Sequence, residues 1–269
     1  MIHLFALLSL LLCGVCYTGF QNSSHFHNTS NRRSLLLLVF GGALLLRLLL
    51  AYTTHGFSND IACFAAWADR IFTLGPGQFY SAEMFTDYPP GFMYVLYLIG
   101  ALRSLLQIPY YSDLHILLLK SPAILCDIAC GFLLYREAVK RLHFSDLQGI
   151  FAASAYLFQP AVILNSSCWG QVDSVYTLMI ILMCLCLMKG NLLPAYAVYG
   201  LGVLLKPQML IFTPVLLAGI WDHVFLQDFS WRKFFYNLCG GLVVICGMLL
   251  LCAPFGLTAA ISQYTSTLG

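Results

Sequence analysis

The sequence predicts an all-α protein, a polytopic bundle of about seven to nine transmembrane helices. Three observations predict it. Sixty per cent of the 269 residues are apolar and only 9% are charged, against roughly 45–50% and about 25% in an ordinary soluble domain. The apolar residues fall in runs close to the ~20 residues that cross a bilayer. Most of the few cations cluster between those runs. A water-facing surface cannot be built from 13 Lys and Arg with 11 Asp and Glu, which excludes a soluble enzyme, a disordered chain and a coiled coil. The net charge is +2 and no basic run is long enough to track a phosphate backbone, so nucleic acid is not an expected partner. Of the eleven cysteines, Cys126, Cys130, Cys184, Cys186, Cys239 and Cys246 sit inside apolar runs and read as small packing residues. No cysteine-rich polar loop suggests a disulfide framework.

The elements follow in order. Residues 2–20 are an apolar run with no basic residue before it, which favours an uncleaved helix over a signal peptide. The linker QNSSHFHNTSNRR (21–33) separates it from the main body, so 1–33 is an extra N-terminal segment and 34–269 the core. Candidate spans in the core are 34–52, 91–108, 115–135, 147–164, 174–188, 192–205, 207–221 and 234–253. Lys206-Pro207 breaks the last pair but one, as a kink or as two helices, and needs protein or water to satisfy the freed backbone. The positive-inside rule places Arg32–Arg33, Arg136/Lys140/Arg141, Lys189 and Arg232–Lys233 in the cytoplasm. The segments 53–90, 165–173, the Lys206 break and 254–269 then lie outside. Two spans separate the outside loop 53–90 from the inside Arg136, where parity demands an odd number. Either 91–108 does not fully cross or one basic cluster breaks the rule.

The extracytoplasmic loop 53–90 has structure of its own. Ser58-Asn59 can cap a helix beginning at Asp60. The stretch DIACFAAWADRIFTL carries apolar residues at 61, 64, 65, 68, 71 and 72, the pattern of an amphipathic helix lying along the membrane surface. Gly75-Pro76-Gly77 ends it, and Tyr88-Pro89-Pro90-Gly91 leads into the next span.

A charge inside lipid costs about 2.5–3.5 kcal/mol on insertion scales, so each one is a functional candidate with a partner to be found. The candidates are Arg47, Asp60, Asp69, Asp87, Lys120, Asp127, Asp173 and Lys206. Asp60, at a helix start favoured by the dipole, is also placed to accept a proton from a hydroxyl at the water–lipid boundary. Asp87 and Tyr88, in TDYPPG (86–91), either form a rigid turn or bind a sugar hydroxyl. NSSCWGQVDS (165–174) is either a polar hairpin or a sugar site, with Trp169 stacking on the ring and Gln171 and Asp173 taking hydroxyls. Lys120 and Asp127 stand seven residues apart near one helical face and can pair with each other. Lys120 and Lys206 can instead each hold a lipid phosphate.

The acid after the first core span, the surface helix, DYPPG, LNSSCWGQVDS and LLKPQML, in this order, resemble the GT-C superfamily of membrane glycosyltransferases over roughly residues 34–269. DYPP and the polar loop followed by KPQM are similar to the dolichyl-phosphate-glucose-dependent glucosyltransferases of N-glycan assembly. DIACGFLLYR looks like part of the glycosylphosphatidylinositol mannosyltransferases, and bacterial polyprenyl-phosphate sugar transferases share the layout. The resemblance implies a GT-C-like core that moves a hexose, mannose or glucose, from a polyprenyl-phosphate donor to an acceptor hydroxyl on a glycan, lipid or protein. The anomeric centre inverts and no cofactor beyond the lipid-linked donor is needed. It implies Asp60 as the catalytic acid of the first outside loop, with Asp69 the alternative. Asp87 and Tyr88 fall on the family's acid–tyrosine–proline segment, Gln171 and Asp173 on its polar loop, and Lys206 and Gln208 on its Lys-Gln pair near the lipid phosphate. Residues 58–61 read Ser-Asn-Asp-Ile, so the Asp-x-Asp pair of the mannosyltransferases is absent and the expected transfer is metal-independent. Family members usually continue with more spans, so the resemblance implies that this chain holds the core without the C-terminal part. Two other readings compete: a transporter or flippase for a lipid-linked or sugar substrate, and an inactive core-only fragment. The expected location is a multi-pass position in a bacterial plasma membrane, favoured over the endoplasmic reticulum.

Overall fold

In a computed structural model of the chain, residues 32–80, 85–226 and 229–256 are described, with a few single positions nearer the ends. Apart from those single positions and Arg32–Arg33, which open the first described helix, the N-terminal apolar run and its linker lie outside the described residues, and so do Cys13 and Cys16, a Cys-x-x-Cys spacing within that run. Every regular element among the described residues is helical.

Four of these helices are long and apolar enough to cross a membrane: Arg32–Thr53, Asp113–Lys140, Pro207–Leu226 and Trp231–Phe255. A fifth forms if Asp146–Leu157 and Pro160–Trp169, bent by 51°, count as one span. The protein is thus a multi-helix membrane protein. Pro90–Leu105, Asp173–Met188 and Leu192–Leu205 are apolar but shorter. At 1.5 Å per residue, 14 to 16 residues reach only about 21–24 Å, against ~30 Å of hydrocarbon. The expected span 91–108 stops at Leu105, and Gln107 takes a left-handed φ of 52°.

The chain divides into two compact units, Met1–Ile61 with Tyr111–Ser174, and Ala62–Tyr110 with Val175–Gly269. In the first unit, α1 (Arg32–Thr53), α4 (Asp113–Lys140) and α5 (Asp146–Leu157) pack together. Ser145 and Gln148 start α5 with a reciprocal capping box, which satisfies two backbone donors that have no partner inside the helix. Small residues let the helices close: a Cβ on Gly131 would lie 2.6 Å from the Leu157 side chain. Ala43, Ile150, Ala153 and Leu157 fill the contact with Leu36, Val39 and Phe40. α6 (Pro160–Ile163) continues into a six-residue π turn, Leu164–Trp169. The expected tight polar hairpin at 165–173 is therefore a wound segment that stops at Gly170, φ 90°.

In the second unit, α3 (Pro90–Leu105), α8 (Leu192–Leu205), α9 (Thr213–Trp221) and α10 (Trp231–Cys252) carry the packing. Met183, on the part of α7 (Asp173–Met188) in this unit, Ala195, Met209 and Leu216 form its core. The Lys206-Pro207 break resolves as two separate helices. α8 ends at Leu205, Lys206 is extended at φ −152°, and a 3-10 turn begins at Pro207.

The amphipathic helix of the first loop is α2 (Ser58–Leu74), so Ser58 and Asn59 lie in its first turn rather than before it. Its expected apolar face is present, but protein covers it. Ile61, Phe64, Ala65, Ala68 and Ile71 are all at most 2% exposed. Within the second unit Phe64 meets Trp67, Tyr88 and Phe92 edge-on, and a Cβ on Gly100 would lie 2.5 Å from the Ala68 carbonyl. The stripe that reads as a lipid-facing surface is a packing face.

Candidate functional site

The first unit builds a carboxylate site around Asp60. α1 ends at Thr53, and Thr54, Gly56 and Phe57 after it meet the π turn. Phe57 N–H donates to the Trp169 carbonyl at 2.8 Å, and the two rings pack 5.6 Å apart. Gly56 takes φ 79°, and a Cβ there would stand 2.7 Å from the same Trp169 carbonyl. A side chain is excluded on both counts. Gly170 faces the same restriction: at φ 90° its Cβ would lie 2.6 Å from Ile61.

These contacts set Asp60, in the first turn of α2, against the end of the π turn. Trp169 Nε1 donates to Asp60 Oδ2 at 3.2 Å, and Gln171 Nε2 donates to that oxygen as well. Both donors use Oδ2. Oδ1 has no hydrogen-bond partner among the described residues and is the oxygen open to an incoming hydroxyl. The Trp169 ring is half exposed, leaving one face for an apolar surface such as that of a sugar ring. The sequence motifs thus meet at one place: Asp60, Trp169 and Gln171.

The other expected residues divide clearly. Asp173 turns to Asn165, whose Nδ2 donates to its carboxylate at 2.9 Å. The Asn165 carbonyl takes the N–H groups of Gly170 and Gln171, each at 3.0 Å, and so sets the loop that aims Gln171. Sequence reasoning missed Asn165, although it stands inside the motif. Lys120 is completely buried. Its ammonium donates to the carbonyls of Thr54 (2.7 Å), Ser167 (2.9 Å) and Ala51 (3.2 Å), and to Thr54 Oγ1 (3.1 Å). Three hydrogens meet four acceptors, so Lys120 fastens the end of α1 to the π turn. The Ala51 carbonyl lies in the last turn of α1 and the Thr54 carbonyl just past its end, where a cation also suits the helix dipole.

The expected Lys120–Asp127 pair does not form. Asp127 is taken by Arg47, Nε to Oδ2 at 3.1 Å, with both side chains fully buried. Ser166, Tyr156 and Ser174 hydroxyls also donate to Asp127. The carboxylate accepts four bonds, about its full capacity. Arg47 reaches Asp127 before Lys120 because Lys120 lies two turns nearer the start of α4 and points to the end of α1.

The second unit holds the remaining candidates. Lys206 is 7% exposed, and its Nζ stands 5.7 Å from the ring centroids of both Tyr88 and Tyr176. Tyr88 is fixed by rings at Phe64, Trp67 and Phe92, and its carbonyl accepts the Tyr80 hydroxyl at 3.0 Å. Asp87, beside it, is exposed, as is Gln208 on the 3-10 turn after Lys206. Tyr176 is the partner that the motif pattern did not supply. Asp69, the alternative acid, is paired with the Arg103 guanidinium, so its carboxylate is engaged where Asp60 keeps an open oxygen.

The sequence matches no protein-family model and no curated protein.

Proposed function

We propose that this chain is a GT-C-type membrane glycosyltransferase, moving a hexose from a polyprenyl-phosphate donor to an acceptor hydroxyl. One observation carries the proposal: Asp60 has one oxygen pinned by Trp169 and Gln171 and the other open, beside a half-exposed indole. That arrangement suits a general base, which needs a fixed orientation and a lone pair directed at its substrate.

In the proposed reaction Asp60 Oδ1 accepts the proton of the acceptor hydroxyl. The hydroxyl oxygen forms a bond to the anomeric carbon from the face opposite the phosphate. The bond from that carbon to the phosphate oxygen breaks, and the lipid phosphate leaves with the electron pair. Asp60 ends protonated and releases the proton to water. Trp169 offers a stacking face to the sugar or the acceptor. The motif resemblance assigns the cation for the phosphate to Lys206, which in the second unit stands among tyrosine faces; negative charge grows on the phosphate as the bond breaks. Lys120, with its ammonium occupied by carbonyls, positions the loops that carry Trp169 and Gln171. Mannose and glucose are the sugars the resemblance favours, and a bacterial plasma membrane is the proposed location.

The test is transfer by the purified chain in lipid, offered a panel of radiolabelled polyprenyl-phosphate sugars. Wild type transfers one of them, and Asp60→Asn loses about 10²–10⁴-fold in rate with unchanged membrane insertion. Transfer at full rate in Asp60→Asn removes Asp60 from the role. No transfer from any donor by the folded chain overturns the reading.

A further inference from the structure

The second unit carries two cavities that meet. One, of about 570 Å³, lies where Gly190–Pro194, at the start of α8, faces His223 and the first turn of α10. Arg232 and Lys233 line it with His223, Asn191, Ser230 and Tyr236, and no carboxylate is among its described lining residues. The other, of about 400 Å³, is an almost wholly apolar groove between α8, α9 and α10, walled by Leu216, Ile220, Leu238, Gly241, Ile245 and Met248. Asn237 lines both. It is held at the seam by Nδ2 donating to the Lys233 carbonyl at 2.8 Å and by the Tyr196 hydroxyl at 3.4 Å.

The shape is that of an amphiphile: charge-binding at one end, apolar along the rest. From Asn237 to Met248 the groove follows α10 for about 16 Å at 1.5 Å per residue, the depth of one leaflet of a ~30 Å core. The basic end sits at head-group level by an independent sign. Trp221, Trp231 and Tyr236 are 58–67% exposed there, and exposed Trp and Tyr mark the membrane interface. Arg232 and Lys233 occupy the first turn of α10, and Ser230 gives no side-chain cap, so the first backbone N–H groups of the helix lie at the same end as the two cations.

We infer that these two cavities form a binding site for an anionic phospholipid, its phosphate between Arg232, Lys233 and Asn191 and one acyl chain in the groove toward Met248. The site is separate from Lys206. It lies at the start of α8, whereas Lys206 follows the end of that helix, 14 residues or about 21 Å away. It does not depend on the proposed transferase activity.

The experiment measures lipids retained by the whole protein, taken from nanodiscs of equal phosphatidylglycerol and phosphatidylcholine into native mass spectrometry. Wild type retains phosphatidylglycerol in preference, and soluble glycerol 3-phosphate does not displace it. Arg232→Gln with Lys233→Gln lowers phosphatidylglycerol binding by about fivefold for each cation, roughly 30-fold together. Gly241→Phe blocks the groove. A Cβ there meets nothing within 4 Å, so the helix tolerates the ring while the chain loses its place, and retention of both lipids falls. Gly247→Phe, equally open and outside the groove, binds as wild type. Equal retention of the two lipids by wild type overturns the inference, as does wild-type binding in either the double variant or Gly241→Phe. If Gly241→Phe leaves lipid binding intact and instead breaks a dimer, the groove holds a second copy and the lipid site falls.

Discussion

Lys120 and Lys206 stand in similar sequence settings, each inside an apolar stretch and followed within two residues by proline, and their surroundings differ in kind. Lys120, in the first unit, meets four oxygens within 3.2 Å. Lys206, in the second, meets two tyrosine faces at 5.7 Å. Oxygen acceptors use up the hydrogens of an ammonium. Ring faces stabilise its charge without accepting those hydrogens along their bonds. The first lysine is therefore committed to the protein's own carbonyls, and the charge of the second is faced by two aromatic rings. Two acids of the first unit differ in how far their oxygens are taken. Asp127 accepts four bonds in a buried network, while Asp60 has one oxygen held and one open. A saturated carboxylate such as Asp127 holds the structure together, and one with an open oxygen such as Asp60 is available for chemistry.

The largest expected effect tests the saturated side. Arg47→Leu leaves Asp127 without its cation at a fully buried site, at a cost of about 3–5 kcal/mol. The unfolding midpoint in a mild-detergent to SDS titration drops accordingly. Adding Asp127→Leu restores much of the loss, because no unpaired charge is then buried. A single variant as stable as wild type would show that the pair is not the strut described here.

The two lysines give a direct comparison. Lys120→Met strips the donors from the Ala51, Thr54 and Ser167 carbonyls, each worth about 1–3 kcal/mol when left unsatisfied. Stability falls and any activity falls with it. Lys206→Met removes a cation held by ring faces, worth about 2 kcal/mol or less. Its melting point moves less, and its loss shows in donor use, roughly 10- to 100-fold in the donor KM for a lost charge-assisted phosphate contact. If Lys120→Met unfolds at the wild-type point and Lys206→Met does not alter the donor KM, the division between the two lysines collapses.

Helical class and membrane character were legible because composition and run length report directly on the solvent of a chain. The apolar positions of α2 were legible as well, since Ile61, Phe64, Ala65, Ala68 and Ile71 follow a helical period. What covers them was not: period reveals a face, and protein and lipid demand the same residues on it. Partner choice failed for a related reason. Lys120 and Asp127 share a helical face, but Arg47 on another helix lies 80 positions from Asp127 in sequence, and spacing along one helix carries no information about the next. The helix Pro90–Leu105 reads as a span to 108 because an apolar residue follows the left-handed Gln107, whereas the proline after Lys206 makes the end of Leu192–Leu205 legible in the sequence. The meeting of Asp60 with Gln171 depends on the π turn and on Asn165, whose carbonyl shapes the loop; no periodic pattern announces a π turn.

The smallest expected effect sharpens the aromatic side of the comparison. If ring faces are what hold Lys206, Tyr176→Phe preserves the face and leaves the lysine's placement unchanged. Tyr176→Leu removes one of two faces, worth about 0.5–1 kcal/mol, and raises the donor KM by roughly two- to fivefold. Tyr88→Leu should do more than Tyr176→Leu, because Tyr88 also contacts the rings of Phe64, Trp67 and Phe92 and its loss loosens the start of α3. A Tyr176→Phe variant as impaired as Tyr176→Leu would shift the role from the ring to the phenol oxygen. Lys206 would then belong with Lys120, as a cation held by oxygen, and its assignment to the donor phosphate would lose its physical basis.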